Sequence, residues 1–320
     1  DLMSAAPDDT PLPSAPAFVG DGSTDILWRN EEGALSQWLG QDGGTFAYNP
    51  NAAYQLSTEW SIAGFGDFNN DDRDDVLWRN DNGAVMEWLG QTNGTFAWNP
   101  NVALQLGNDW HLAGIADFNG DQHADVLWRN HAGALSQWLG QAHGAYAYNP
   151  NAALQLGAEW SIAGTGDFNG DSRADVLWRN HEGALSQWLG QANGSFAYNP
   201  SAAYQLGTEW QVAAIGDFNG DNRADILWRN LDGAMSQWLA QPGGTFAYNP
   251  GAAYSLPTNW ELATSGDFNG DNRDDLIWHN EAGALSEWLA QSGGTFAYNG
   301  NAAYQLSTNW HLQPDSVPFF

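Results

Sequence analysis

The chain has 320 residues and a formal charge of −29, from 38 acidic and 9 basic residues, and it contains no cysteine. Nucleic-acid affinity rests on neutralising phosphates with Lys and Arg, so this charge argues against a nucleic-acid partner. The lack of cysteine excludes disulfides and thiolate metal sites. No apolar run approaches the roughly 20 residues that span a bilayer, so no membrane insertion is expected.

The chain divides into a short N-terminal segment and one long repetitive region. Residues 1–16, DLMSAAPDDTPLPSAP, contain four prolines and predict a flexible tail. Residues 17–320 are predicted to form one domain, because a repeat of 50 residues runs through them without drift. Eighteen of the 19 tryptophans lie on this period in three sets: Trp28, Trp78, Trp128, Trp178, Trp228 and Trp278; Trp38, Trp88, Trp138, Trp188, Trp238 and Trp288; Trp60, Trp110, Trp160, Trp210, Trp260 and Trp310.

Each repeat carries the pattern of short β-strands. In the fourth repeat the expected strands span residues 160–168, 175–180, 184–191 and 195–200. The third of these alternates, with Ser186 and Trp188 on one face and Gln187 on the other. Asn193-Gly194 then predicts a tight hairpin turn, and Pro200 is expected to stop the fourth strand.

Four antiparallel strands in each repeat of about 50 residues are typical of a β-propeller blade. The N-terminal copy begins at Phe18 and lacks a first strand, and the C-terminal segment 308–313, TNWHLQ, supplies one. Strands two to four of this blade come from residues 25–49. We therefore predict an all-β, six-bladed β-propeller with four antiparallel strands per blade. Strands from the N- and C-terminal ends pair in one blade and close the ring, and large aromatic rings fill the wedges between blades.

A loop rich in Asp and Asn joins the first two strands of five repeats. Carboxylates or amides stand at positions 1, 3, 5 and 9, the alternation that an oxygen-ligand Ca²⁺ loop needs. The N-terminal copy keeps only Asp21 and Asp25 and is not expected to bind an ion. The candidate metal ligands are Asp67, Asn69, Asp71 and Asp75; Asp117, Asn119, Asp121 and Asp125; Asp167, Asn169, Asp171 and Asp175; Asp217, Asn219, Asp221 and Asp225; Asp267, Asn269, Asp271 and Asp275.

This loop resembles the FG-GAP/VCBS repeat, whose loops bind Ca²⁺ in the propellers of integrin α-subunits. The resemblance implies Ca²⁺ at up to five loops, and no other cofactor is predicted. A second interpretation stays open, in which Asp and Asn cap the turn through backbone amides and a nearby Arg such as Arg173 neutralises the acids. Position 6, usually a glycine at a sharp turn, holds Asp72, Gln122, Ser172, Asn222 or Asn272.

The succession of an LWRN strand, a GALSxWL strand and an FxYN strand resembles the blade of the Photorhabdus-type, PLL-like β-propeller lectins. The resemblance covers residues 17 to about 313. It implies a multivalent carbohydrate-binding protein that takes glycans as partners, with a preference for fucose or O-methylated sugars. It also implies pockets between adjacent blades. That family usually has seven blades, whereas six are counted here.

The candidate sugar-binding residues recur in the repeats and lie near a blade edge. Aromatic rings stack on the apolar faces of sugars, while Ser and Gln bond their hydroxyls. The ordinary alternative is that the Trp side chains form inter-blade core and the Gln side chains are plain sheet residues. The candidates are Ser36, Gln37, Trp38, Tyr54, Trp60, Ser136, Gln137, Trp138, Trp160, Ser186, Gln187, Trp188, Tyr204, Trp210, Ser236, Gln237, Trp238, Tyr254, Trp260, Ser286, Trp288, Tyr304 and Trp310.

The copies are not equivalent, and the second repeat departs most from the others. It has Met86, Glu87, Trp98 and Leu104 where other repeats have Ser, Gln, Tyr and often Tyr. We therefore predict unequal sites, with the pocket around residues 80–110 the weakest or most altered.

Other classes of function compete with a lectin. A calcium-binding, integrin-like scaffold for protein interaction or adhesion fits the loops, but the repeats carry no insertions. An enzyme is not expected, because the seven histidines are irregularly spaced and repeated sites do not suit one asymmetric active centre. Near-identical repeats permit strand exchange between chains, which would give a homo-oligomer. A secreted or cell-surface role suits a glycan binder better than a cytosolic one.

Overall fold

Each repeat folds into a small antiparallel sheet, and six such sheets form the blades of a propeller in the computed structural model, which describes residues 15–313. Blade I contains β1 (Ile26–Asn30), β2 (Ala34–Gln41) and β3 (Thr45–Gln55). Blade II contains β4 (Trp60–Gly66), β5 (Asp75–Asn80), β6 (Ala84–Gly90), β7 (Phe96–Trp98) and β8 (Leu104–Gln105). Blade III contains β9 (Trp110–Ala116), β10 (Asp125–Asn130), β11 (Leu135–Gln141) and β12 (Ala145–Asn149).

The remaining blades repeat this order. Blade IV contains β13 (Trp160–Gly166), β14 (Asp175–Asn180), β15 (Ala184–Gly190) and β16 (Phe196–Gln205). Blade V contains β17 (Trp210–Gly216), β18 (Asp225–Asn230), β19 (Met235–Ala240) and β20 (Phe246–Asn249). Blade VI contains β21 (Trp260–Gly266), β22 (Asp275–Asn280), β23 (Ala284–Ala290), β24 (Phe296–Tyr298) and β25 (Tyr304–Gln305). Short 3₁₀ turns span Ala142–Gly144, Pro150–Ala152 and Pro250–Ala252.

The ring closes as predicted, because β26 (Trp310–Leu312) pairs with β1 in the sheet of blade I. The register places Trp28 opposite Leu312, and the Gln313 N–H donates to the Leu27 carbonyl at 2.9 Å. One blade is thus built from both ends of the described chain. The six-bladed, four-stranded architecture predicted from the 50-residue period is confirmed.

The fourth strand of blade IV differs from its prediction. The hairpin turn at Gly194, with φ of 73°, lies where Asn193-Gly194 predicted it. Pro200 does not end the strand, however, since β16 continues to Gln205. This strand is the last in the order of its sheet, and a proline is tolerated at a sheet edge because no neighbouring strand needs its missing N–H.

The predicted tail, residues 1–16, lies outside the described residues except for its last two. The Ala15 N–H donates to the Ser265 carbonyl at 2.7 Å, and the Pro16 carbonyl accepts from the Asp25 N–H at 2.5 Å. These two residues therefore join the propeller. No helix within residues 15–313 is long and apolar enough to cross a membrane.

The hydrophobic core lies in the seams, by which we mean the interfaces between consecutive blades. In seam I/II, Leu27 and Leu35 of blade I pack against Ile62 and Trp78 of blade II. Each sheet has two apolar faces, so only neighbouring blades can remove both from water. One buried Trp stands at the same place in every blade: Trp28, Trp78, Trp128, Trp178, Trp228 and Trp278.

An arginine from one blade also reaches over the buried Trp of the next. The guanidinium carbon of Arg129 lies 5.3 Å from the centroid of the Trp178 ring, and its Nη2 donates to the Gly157 carbonyl at 3.1 Å. A desolvated cation–π contact of this kind contributes on the order of 1–2 kcal/mol. Blade VI has His279 at the corresponding position. The five pairs are Arg29–Trp78, Arg79–Trp128, Arg129–Trp178, Arg179–Trp228 and Arg229–Trp278.

Candidate functional site

A cluster of partly exposed aromatic side chains lies in seam IV/V and recurs at other seams. Tyr204 lies near the end of β16, the last strand of blade IV, and its ring centroid lies 5.3 Å from that of Trp238 in β19 of blade V. The Tyr204 hydroxyl accepts the Phe246 N–H at 2.8 Å, which fixes the ring across the seam. The equivalent pairs are Tyr54–Trp88 at 5.2 Å, Tyr254–Trp288 at 5.5 Å and Tyr304–Trp38 at 5.4 Å.

The recurring serine and the first-strand tryptophan belong to the same seam. Trp210 packs with Tyr204 and Trp238 at the partly buried margin of one hydrophobic cluster. In seam III/IV the Trp188 Nε1–H donates to Ser186 Oγ at 3.2 Å, so the two side chains lie together on one face of β15. The structure therefore brings the predicted Tyr and Trp candidates together at the seams, and it places the recurring Ser on the same strand face as the third-strand Trp. Strand alternation is the reason, since residues two apart share a face.

The predicted glutamines do not join this cluster. Gln37 is 0% exposed, and its Oε1 accepts from Asn49 Nδ2 at 2.7 Å on the opposite face of β2. Asn49 Nδ2 also donates to the Asn93 carbonyl of the next blade at 3.0 Å, so the pair ties two blades together. This is the ordinary structural role that the sequence left open. The same buried pairs are Gln137–Asn149, Gln187–Asn199 and Gln237–Asn249.

Sequence reasoning left a second aromatic ring out of the site. Tyr248 lies directly opposite Trp238 in the β19–β20 pair, so both side chains point to the same face. These outer rings are among the most exposed large side chains of the protein, from 53% at Tyr198 to 62% at Trp98. Their recurrence every 50 residues is visible in the sequence, but only the cross-strand register shows that they lie opposite the third-strand Trp. The set is Tyr48, Trp98, Tyr148, Tyr198, Tyr248 and Tyr298.

The six clefts are unequal, as the sequence suggested, but the differences spread over three seams. Met86 replaces the serine in seam I/II, where it packs beside Trp88. Leu104 replaces the tyrosine in seam II/III, and Leu154 replaces it in seam III/IV. The Tyr–Trp–Ser set is therefore complete in seams IV/V, V/VI and VI/I.

Two buried glutamates distinguish their seams from the rest. Glu87 occupies the glutamine position of blade II, and the Tyr146 hydroxyl of blade III donates to its Oε2 at 2.5 Å. Glu287 occupies the same position in blade VI, where its Oε2 accepts from Asn299 Nδ2 at 2.6 Å. Burial raises the pKa of each carboxyl to about 7.

The Asp/Asn loops are held by their own hydrogen bonds. In blade IV, Asp167 Oδ1 accepts the Asp171 N–H at 3.1 Å, and Asp167 Oδ2 accepts the Ser172 N–H at 2.7 Å. Ser172 has φ of 64°, in the left-handed region, at the position where the resembling repeats usually have glycine. The sharp turn is present. The other loops have the same feature at Asp72, Gln122, Asn222 and Asn272.

The ninth loop residue has a structural role that needs no ion. Asp175 is buried, with Oδ1 accepting the Gly190 N–H at 2.9 Å and Oδ2 accepting the Phe168 N–H at 3.1 Å. Burial raises its pKa to about 8, and the two backbone amides oppose the shift. Asp25 makes the equivalent bonds in blade I, where the rest of the loop is absent from the sequence.

Some of the remaining loop oxygens are suitable ligands for a hard cation such as Ca²⁺, but one of them is already paired with an arginine. Asn169 Oδ1 is buried and has no hydrogen-bond partner within the described chain, and Asp167 and Asp171 supply the oxygen ligands that Ca²⁺ prefers. Arg173 Nη2 already pairs with Asp171 Oδ2 at 2.5 Å, so an ion would have to displace it. Between residues 15 and 313, no group of three or more His, Cys, Asp or Glu side chains is placed to hold a metal. The calcium assignment stays a prediction.

Calcium titration should reveal whether these loops bind the ion. If they do, Ca²⁺ at about 100 times its Kd should raise Tm by about 5 °C for each occupied loop, because binding to the folded state alone adds roughly 2.7 kcal/mol per site. EDTA should reverse the rise, which differential scanning calorimetry would measure. An Asn169→Ala variant should show a smaller rise. An unchanged Tm would mean that the Arg–Asp pairs satisfy the loops on their own.

Comparison with known proteins identifies solved structures of similar architecture. No curated protein sequence matches the chain. The SapL1 lectin, solved with α-methyl fucoside, is similar with a TM-score of 0.57 at 10% identity, over 90% of this chain and 96% of that one. The six-bladed fucose lectin of Aleuria aurantia gives 0.56 at 12% identity, over 95% and 98%. A Bacteroides uniformis protein assigned to the 6-phosphogluconolactonases gives 0.53 at 14%, over 97% and 90%.

These similarities establish the propeller fold. They do not establish function, because proteins of such low sequence identity often share a fold without sharing a function. The sequence itself is matched by the FG-GAP-like repeat family at residues 18–78, 67–128, 167–228 and 217–278. The matched segments together cover more than half of the chain and coincide with the loops and strands described above. The chain belongs to the FG-GAP-like repeat family.

Proposed function

We propose that the protein is a multivalent carbohydrate-binding protein, a lectin, whose sites are the aromatic clefts at the blade seams. The observation that carries the proposal is the recurrence of one cluster, in which Trp238 and Tyr204 meet across seam IV/V. Ser236 lies on the same face of β19 as Trp238, and the exposed Tyr248 lies opposite Trp238 in the next strand. A structural core alone does not require an exposed ring in every blade.

The chemistry of the cluster suits a sugar. The half-exposed indole and phenol rings offer flat surfaces for the apolar C–H faces of a pyranose, and hydroxyl and N–H groups stand beside them. Seams IV/V, V/VI and VI/I hold the complete set, so we expect about three stronger sites. Such sites are individually weak, and their repetition on one rigid ring raises avidity by effective concentration.

For the ligand we propose fucose or an O-methylated sugar. The similar SapL1 structure contains α-methyl fucoside, and the similar Aleuria aurantia lectin recognises fucose. The methyl group of fucose, or a methyl ether, adds an apolar contact that the rings of Trp238 and Tyr248 can receive. The resemblance to PLL-like lectins supports the same class. We also propose that the protein has no enzymatic activity, since one site repeated in every blade does not suit a single asymmetric active centre.

The test uses two matched triple variants. The first variant replaces the outer ring of the three complete clefts by alanine, at Tyr48, Tyr248 and Tyr298. The second does the same in the three incomplete clefts, at Trp98, Tyr148 and Tyr198. Isothermal titration with α-methyl fucoside, after a glycan array has identified the best sugar, should show a loss of at least about tenfold in affinity for the first variant. The second variant should lose little. Equal losses, or no bound glycan on the array, would overturn the proposal.

A further inference from the structure

Two histidines of blade III form a close pair that the sugar clefts do not use. His111 lies in β9, and His131 follows the last residue of β10. Their Nε2 atoms are 2.6 Å apart, and the ring centroids are 4.3 Å apart. The antiparallel β9–β10 pair places His111 opposite Arg129, two residues before His131. Both imidazoles reach solvent, with His131 the more exposed.

The pair is peculiar to this blade, so the propeller fold does not require it. Blade IV has a single histidine, His181, at the position of His131, while Ser161 stands at the position of His111 and its Oγ donates to the Arg179 carbonyl at 3.2 Å. The residues at the two corresponding positions in the other blades are Ser61 and Asp81, Gln211 and Leu231, Glu261 and Glu281, and His311 and Glu31.

Two imidazoles that face each other through Nε2 have few favourable states. When both are neutral, one must donate its proton to the other, or both lone pairs must meet a third partner. When both are protonated they repel each other. Burial, His131 and Arg79 together lower the pKa of His111, and Asp109 opposes them. Arg79 itself is held to the carbonyls of Trp110 and Gly107.

We propose that His111 and His131 form a two-ligand site for a divalent transition metal such as Zn²⁺. Imidazole nitrogen suits Zn²⁺, Ni²⁺ or Cu²⁺ and does not suit Ca²⁺. Zn–N distances of about 2.0–2.1 Å in a tetrahedron need the two nitrogens about 3.3 Å apart. The observed pair must therefore open by less than about 1 Å, a small rotation for two side chains at the surface.

The remaining coordination positions belong to water or to a carboxylate from outside the pair. Among residues 15–313 no third His, Cys, Asp or Glu is placed to complete a group of three. A site with two protein ligands keeps open positions, which allows an exogenous group to bind the ion. The formal charge of −29 attracts cations to the protein in general, so the test must separate this site from loosely held ions.

The test is isothermal titration of the full chain, without a polyhistidine tag, with ZnCl₂ at pH 7.5 in excess Ca²⁺. We expect one tightly bound ion per chain. His111→Ser copies the residue of blade IV and should abolish that binding, with an unchanged circular dichroism spectrum. Binding should weaken at acid pH, because an imidazole nitrogen must give up its proton to coordinate the ion.

A gain-of-site variant makes the test independent of loss by misfolding. Ser161→His places a second imidazole beside His181 in blade IV and should raise the stoichiometry to two ions per chain. Zinc binding that persists in His111→Ser would assign the ion to the acidic loops and overturn the proposal. Failure of the unmodified chain to bind Zn²⁺ would also overturn it.

Discussion

Replacing Trp178 with alanine is expected to lower the free energy of unfolding by about 3–5 kcal/mol. The side chain is 1% exposed and packs against Leu127 and Leu135 of blade III and Ile162 of blade IV. Its removal loses the transfer energy of an indole and leaves a cavity that two rigid sheets cannot collapse to fill. Arg129 loses the ring below it at the same time.

Urea denaturation followed by circular dichroism would measure this loss. Trp178→Phe should cost less than alanine, because it keeps a ring and removes a buried Nε1–H that has no acceptor within the described residues. Tyr198→Ala is the matched control on the same blade, since its ring is 53% exposed and little packing is lost. A change below about 1 kcal/mol for Trp178→Ala would contradict a core shared between blades.

The fold could be predicted in detail because the repeat is free of insertions. A period that never drifts fixes the number of blades, and the match between segment 308–313 and the first strands of other repeats fixes how the ring closes. The left-handed turn at loop position 6 could not be predicted in the same way, because none of the five residues there is glycine. The strand after Pro200 was not predicted because pairing is interrupted after Asn199 and resumes at Tyr204 through a register shift, which the residue pattern does not show.

For the candidate site, the sequence predicts which residues of one strand share a face, and it does not predict which residues of other strands lie beside them. Ser236 and Trp238 share a face of β19, while Gln237, between them, must point to the next seam. Alternation was visible in the sequence, and it separates the glutamines from the cluster. The exposed Tyr248 depends on cross-strand register instead. Contacts between blades, such as Tyr146 with Glu87, join residues 59 apart and leave no local signal.

Glu287→Gln is expected to stabilise the protein at neutral pH and to have little effect at pH 4. Glu287 is buried, its Oε1 has no hydrogen-bond partner among the described residues, and Phe46 stands where blade III has Tyr146. Burial raises its pKa from 4.5 to about 7. The contribution of Glu287 to the free energy of unfolding is therefore fully present below pH 4.5 and is lost as the pH rises towards 7. The reason is that in this range the unfolded chain releases a proton that the folded chain retains.

The size of this effect follows from the shift, which corresponds to a loss on the order of 3 kcal/mol above pH 7. Glutamine cannot ionise and occupies this position in four other blades. Chemical denaturation of both proteins at pH 4 and pH 7.5 gives the difference due to Glu287 together with its effect on the neighbouring buried Asp275, whose pKa the Glu287 charge helps to raise. An equal difference at the two pH values would show that Glu287 is not the titrating group.

Variants at the facing position separate ionisation from packing. Phe46→Tyr copies seam II/III and should supply Glu287 with a hydroxyl donor, as Tyr146 supplies Glu87. It should recover part of the stability at pH 7.5, because a hydrogen bond to the charged form lowers the pKa of the carboxyl. In the double variant with Glu287→Gln the added hydroxyl should lose most of its pH-dependent benefit. Tyr146→Phe should have the opposite effect in seam II/III and lower the stability at pH 7.5. Glu87 should then destabilise the protein as much as Glu287 does, because each seam would hold a buried glutamate against a phenylalanine ring.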